Sequence, residues 1–271
     1  MKRTVRSVTV LAATTATLVA VPLVATAHAA EAGAADRARD YTVSARLNKS
    51  VVTVGEDVVK VRGKVKPRAA GQKVELQQRL DGARRWRPSG SAKIKKSGEY
   101  LLQDKPSVSG TREYRVVKPA ADGIGKGMSK TLEVTVYAWE RLAARTPGVY
   151  DNVGLNTDVA IGARSYPYSI TIGMPSAKGG SGYVEYTLGR LCTSLRTTYA
   201  LSDYSFSGSS GSVTLVLDNV PTVHVPLVVG QVVESTTSLE GVFRLRYDLA
   251  APGFPVAAYP TVGTPEIRCT K

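Results

Sequence analysis

The chain has 271 residues, 43% of them hydrophobic, and a formal net charge of +14. Its length is a prior for one or two globular domains. Two cysteines and two histidines leave zinc without a ligand set once the cysteines pair.

Lys2, Arg3 and Arg6 stand ahead of an apolar run from Val8 to about Thr26, and small residues follow. That order is a secretory signal peptide. Ala27-His28-Ala29 fits the small-x-small cleavage rule, which places the signal peptide at residues 1–29. A transmembrane anchor is the alternative, but Thr9, Thr14, Thr15, Thr17, Thr26 and Pro22 dilute the run, and no charge cluster follows to stop transfer. The expected product is an exported bacterial protein, secreted or held at the cell wall, with no membrane span.

Residues 30–40 are alanine-rich without an apolar period and read as a flexible leader. Charge then divides the remainder in two. Glu31 to Ala138 carries 23 Lys and Arg against 12 Asp and Glu, whereas Trp139 to Lys271 carries ten of each. We therefore expect one module over 41–138 and a second over 139–271, both all-β.

In the first module, period-two alternation marks strands at Tyr41–Leu47, Val58–Val65, Lys73–Leu80, Tyr114–Val117 and Thr131–Tyr137. Turn signals separate them at Val54-Gly55-Glu56, Asp81-Gly82, Ser97-Gly98 and Ser109-Gly110. The stretch Gly123-Ile-Gly-Lys-Gly127 lacks phosphate-loop spacing and reads as a turn. Gly55-Glu56, Gly71-Gln72-Lys73-Val74-Glu75-Leu76-Gln77, Trp86, Ser97-Gly98-Glu99-Tyr100 and Tyr114-Arg115-Val116 together resemble the bacterial Ig-like or fibronectin-like modules of secreted proteins. That resemblance implies a β-sandwich used as a spacer or adhesive module, with no active site.

Lys60, Arg62, Lys64 and Lys66 fall on alternate strand positions, and Arg84, Arg85 and Arg87 cluster around Trp86. A face of this kind attracts polyanions. In an exported chain the candidate is an anionic envelope polymer rather than nucleic acid, and Arg84, Arg85 and Arg87 are the expected contacts. The plain alternative is a solvated basic face that aids solubility.

In the second module the expected strands are Tyr166–Ile172, Gly182–Leu188, Cys192–Tyr199, Ser212–Leu217, Thr222–Val229, Gly241–Leu249 and a last one near Glu266–Cys269. Cys192 and Cys269 are the two cysteines of an exported chain and are expected to form a disulfide. Tyr183–Gly189, Leu195–Asp203, Ser212–Asp218 and Leu239–Arg246 resemble the NPCBM family of carbohydrate-binding-like modules. The resemblance implies a jelly-roll, galactose-binding-like sandwich and a glycan or cell-wall polymer as partner. Asp218-Asn219 replaces the Asp-Gly common in that family, and Tyr168–Gly173 replaces its Gly-Ile-Gly-x-His segment.

Sugar recognition needs an aromatic face for the apolar side of the ring and planar polar groups for vicinal hydroxyls. Tyr166, Tyr168 and Tyr204 supply the first requirement, and Arg196 and Asp203 the second. No catalytic set stands beside them. His224 lies between two valines in an expected strand, and Gly208-Ser-Ser-Gly-Ser212 is one residue short of a nucleophile elbow. The expected protein is non-catalytic, without cofactor or metal. It binds carbohydrate through its C-terminal module or, as the alternative, is a structural or adhesive envelope protein with no sugar ligand.

Overall fold

The computed structural model describes residues 40–173, 180–252 and 257–271. The expected signal peptide and all of the leader except Asp40 lie outside the described residues. Asp40 already forms a parallel bridge with Gly125.

Among the described residues the chain is all-β apart from one short 3-10 turn, Leu142–Ala144. The first half contains β1 (Thr42–Val43), β2 (Arg46–Leu47), β3 (Val51–Thr53), β4 (Val59–Lys66), β5 (Lys73–Leu80), β6 (Arg87–Lys93), β7 (Glu99–Asp104), β8 (Gly110–Lys118) and β9 (Gly127–Met128). It then enters β10 (Leu132–Arg141). One sheet has β4 at its centre, with β1 and β2 paired to it in succession and β7 also paired to it. The facing layer runs β10-β8-β5-β6, with β3 parallel to β10.

Period two sets this packing. In β4, Val59, Val61 and Val65 are buried while Lys60, Arg62, Lys64 and Lys66 are exposed. The valines meet Tyr100 and Leu102 of β7, and Leu76, Tyr114, Val116, Val134 and Val136 of the facing layer, in one core. One core drawing on two antiparallel layers is the construction of a β-sandwich.

The expected strand Tyr41–Leu47 is two strands, because the chain dips at Ser44 over Gly63. Tyr100 donates its hydroxyl to the Ser44 carbonyl there. A Cβ on Gly63 would overlap that carbonyl and stand 2.6 Å from the Tyr100 hydroxyl oxygen. Backbone cannot yield cheaply, so Gly63→Ala is expected to cost about 3 kcal/mol, read as a lower urea midpoint at unchanged slope.

The second half contains β11 (Tyr150–Asp151), β12 (Val153–Ile161), β13 (Arg164–Ile172), β14 (Gly180–Thr187), β15 (Cys192–Leu201), β16 (Ser210–Leu217), β17 (Val220–Val228), β18 (Val232–Ser238), β19 (Arg244–Ala251) and β20 (Pro260–Cys269). One layer is β12-β13-β20-β15-β18, and the other is β11-β14-β19-β16-β17. Both contribute to a second core that includes Ile172, Leu195, Tyr199 and Ile267 from the first layer and Val184, Leu215, Leu245 and Tyr247 from the second. Cys192 and Cys269 lie opposite each other on β15 and β20 and are disulfide-bonded.

Asp218 and Asn219 form the two-residue loop between β16 and β17, both with positive φ (47° and 67°). That is the type I′ geometry, which matches the strand twist and suits Asp and Asn. The Asp218 carboxylate also accepts the backbone N–H groups of Arg244 and Phe243, which hold its pKa below the usual value.

No loop separates the halves. β10 pairs with β8 through Leu132–Val136 and with β20 through Ala138–Arg141. Around this shared strand, arginines lie over aromatic rings: Arg268 over Tyr137, Arg196 over Trp139 and Arg141 over Tyr168.

Candidate functional site

A cleft of about 490 Å³ lies on the outer face of the β12-β13-β20-β15-β18 layer. Strand register explains its lining. Arg196 of β15 stands opposite Thr236 of β18 on one side and Glu266 of β20 on the other. Two residues along, Thr198 stands opposite Glu234 and Gly263. Side chains two apart share a face, so these groups converge on one surface, joined at the rim by Arg164 and Tyr166.

Gly263 makes room for an aromatic wall. A Cβ at that position would stand 2.9 Å from Cδ1 of Tyr166. Without one, the half-buried tyrosine ring settles against Val159, Ile161 and Ala200. Arg196 is held in turn, its Nε donating to Glu266 Oε2 at 2.7 Å and its guanidinium carbon 4.2 Å from the centre of the Trp139 ring. The Trp139 indole N–H donates to Glu56 Oε1 at 3.1 Å.

The backbone beside the cleft is strained. β20 carries a bulge in which Thr264 and Pro265 together face Thr197, and bulges re-aim side chains at functional edges. Thr264 has φ of 40° and Tyr168 of β13 has φ of 59°. Left-handed backbone at a β-branched or bulky residue costs on the order of 1–2 kcal/mol. The two strained segments are clipped together: Thr264 donates its hydroxyl to the Pro167 carbonyl at 2.8 Å and its N–H to Ser169 Oγ at 3.2 Å. Such strain persists where surrounding structure over-determines it, commonly at ligand sites.

The cleft therefore presents two guanidiniums, Arg164 and Arg196, two carboxylates, Glu234 and Glu266, several hydroxyls and one aromatic ring. Its charges balance, which suits a neutral polar ligand.

Of the five residues expected to touch sugar, Tyr166 and Arg196 meet in this cleft. Tyr168 stands outside its lining with Arg141 over its ring. Asp203 spends both carboxylate oxygens on the N–H groups of Gly162 and Ala163, at 2.7 and 2.8 Å, and so closes the β12–β13 turn. Tyr204 follows β15 in a turn and is 76% exposed. Arg164, Thr198, Glu234, Thr264 and Glu266 are among the residues sequence reasoning missed. A signal existed for Glu234, since Val232-Val-Glu-Ser-Thr-Thr-Ser238 puts Glu234 and Thr236 on one face at period two.

His224 is exposed on β17, with Thr214 Oγ1 2.8 Å from its Nδ1. Among the described residues no group of three or more His, Cys, Asp or Glu could hold a metal ion. No described helix is long and apolar enough to cross a membrane.

In the first half, Arg46, Lys60, Arg62, Lys64 and Lys95 surround a shallow cleft of about 730 Å³ with Glu99 as its carboxylate. Lys64 pairs with Glu99 at 3.1 Å. Arg84, Arg85 and Arg87 are exposed, and the guanidinium carbons of Arg79 and Arg115 lie 4.7 and 4.2 Å from the centre of the Trp86 ring.

No protein-family model and no curated protein sequence matches the chain. Among solved structures it is similar to the CBM36-1 domain of a multidomain xylanase from the hindgut metagenome of Trinervitermes trinervoides, at 8% identity and a TM-score of 0.29, over 48% of this chain and 95% of that one. It is also similar to allantoicase from Saccharomyces cerevisiae, at 10% identity and a TM-score of 0.29, over 80% of this chain and 78% of that one. Likenesses this slight assign the chain neither a family nor an activity.

Proposed function

We propose that the chain is an exported, non-catalytic binding protein that takes a neutral glycan in the cleft beside Tyr166 and Arg196. The observation that carries this reading is the charge balance of a hydroxyl-rich cleft with one aromatic wall, set beside two clipped segments of strained backbone. In this reading the second sandwich is the binding module and the basic Ig-like sandwich is its spacer, held at the envelope by anionic polymer. The apolar side of a sugar ring would lie on Tyr166. The Nη groups of Arg196 would fork onto vicinal hydroxyls, and Glu234 and Glu266 would accept from them.

The test is calorimetric titration of the oxidised protein with soluble neutral glycans and solubilised wall polysaccharide at physiological salt. Saturable binding is expected, weakened about 10- to 100-fold in Arg196→Ala, the range for losing a charged hydrogen bond. Asp203→Asn is expected to loosen the β12–β13 turn while leaving affinity intact. If no neutral glycan binds, the reading fails and a structural or protein-interaction role takes its place.

A further inference from the structure

The first sandwich ends in a smaller cleft of about 270 Å³, between β5, the Ala83–Trp86 segment and Ser107-Val108, whose lining includes Arg79, Arg85, Arg87 and Arg112. Arg112 is its unusual member. It occupies an inward position of β8, in register with Tyr114 and Val116, and is only 3% exposed. Its Nη1 donates to Gln78 Oε1 at 2.9 Å and its Nη2 to the Val108 carbonyl. Its Nε finds no acceptor in the protein.

The nearby carboxylates are engaged elsewhere. Asp104 accepts the Ser89 hydroxyl on one oxygen, at 2.7 Å, and the Tyr114 hydroxyl on the other, at 2.5 Å. Glu113 pairs with Arg79. Among the described residues Arg85, Arg87 and Arg112 have no carboxylate partner. A guanidinium cannot shed its charge by deprotonation, burying it without a counter-charge is unfavourable, and three such groups around one small cleft repel one another.

We propose that this cleft is a binding site for a compact tetrahedral oxyanion, a phosphate or sulfate monoester group borne on a larger molecule. The volume is small for a drug-sized ligand and suits a single anionic group entering from the end of the sandwich. Two rim guanidiniums can fork onto its oxygens, and Arg112 supplies fixed positive charge at the floor. A planar carboxylate offers two oxygens in one plane and would satisfy one fork at a time. This site is independent of the glycan cleft: it uses different residues in the other half of the chain.

The experiment is titration of the oxidised protein with inorganic phosphate, sulfate and acetate, at constant ionic strength set by sodium chloride. Phosphate and sulfate are expected to saturate with Kd on the order of 1 mM, and acetate to bind far more weakly. Arg85→Gln/Arg87→Gln, at exposed positions that leave the core untouched, is expected to weaken phosphate about tenfold. Arg112→Met, which keeps the buried volume apolar, should do the same if it folds. Lys60→Gln/Arg62→Gln removes equal charge from the other basic face and should leave affinity unchanged. Tighter phosphate than sulfate assigns the site to phosphate monoesters, and the reverse order to sulfate esters. The proposal is overturned if neither anion saturates, if acetate matches them, or if the Lys60/Arg62 control weakens binding as much as the Arg85/Arg87 variant.

Discussion

Replacing Cys192 and Cys269 together by alanine is expected to remove about 4.5 kcal/mol of stability, which would lower the melting temperature of the second core by on the order of 10–20 °C. The bridge closes a loop with a sequence separation of 77 residues, so in the chain-entropy account its loss releases much freedom to the unfolded state. Both sulfurs belong to the second core, beside Leu195 and Ile267 on the same two strands. The first core contains no cysteine. Calorimetry of the wild-type and doubly substituted proteins checks two things at once. A fall confined to one of two transitions means the sandwiches unfold separately. A single transition that moves as a whole means β10 couples them.

The unbroken run of β10 from one half into the other shows where sequence patterning reaches its limit. Charge composition changes abruptly at Trp139, yet the chain runs on in one strand through Tyr137, Ala138 and Trp139. Composition reports surface chemistry, and β10 has to serve two surfaces. The strands that alternate cleanly were legible: Lys73–Leu80 agrees at both ends, and Val59–Lys66 is displaced by one residue. Of the strands that escaped, β7 and β12 bury apolar residues, whereas β6 and β18 lack a clear apolar face. β6 reads Arg-Pro-Ser-Gly-Ser-Ala-Lys and pairs only with β5 among the described strands. An edge tolerates proline, glycine and charge. β18, which among the described strands pairs only with β15, is Val-Val followed by five polar residues.

The candidate sites follow the same rule. Tyr166 and Arg196 could be named from residue type, but their meeting depends on the pairing of β15 with β20 and on the bulge at Thr264, neither of which local sequence encodes. Asp203 looked like a sugar ligand because a planar carboxylate can fork onto vicinal hydroxyls. Its oxygens instead cap a turn some forty residues upstream, a partnership visible only once β12, β13 and β15 are assembled. Arg112 was open to detection. In Arg112-Glu-Tyr-Arg-Val116 it shares the inward face with Tyr114 and Val116, and an arginine at a core position is a question that sequence can raise and only packing can answer.

At high pH the protein is expected to unfold cooperatively rather than titrate its tyrosines one by one. Burial pushes the Tyr186 and Tyr199 phenols up to about 12, and it raises Tyr100, Tyr114 and Tyr247 as well. In the unfolded chain these phenols ionise near the ordinary tyrosine value of 10.0. Above that pH the unfolded state binds fewer protons than the folded state, so stability falls as pH rises. The contribution is whole below the unfolded value and is lost progressively toward pH 12. At about 1.4 kcal/mol per pH unit for each group, Tyr186 and Tyr199 alone remove about 5 kcal/mol by then, comparable to the total stability of a small domain. Tyrosinate absorbance and far-UV circular dichroism, followed through one alkaline titration, check this. A steep absorbance step should coincide with loss of the β signal. Tyr199→Phe keeps the ring in the core and removes one ionisable group, so that step should move to higher pH. If it stays in place, ionisation of the buried tyrosines is not what opens the second sandwich.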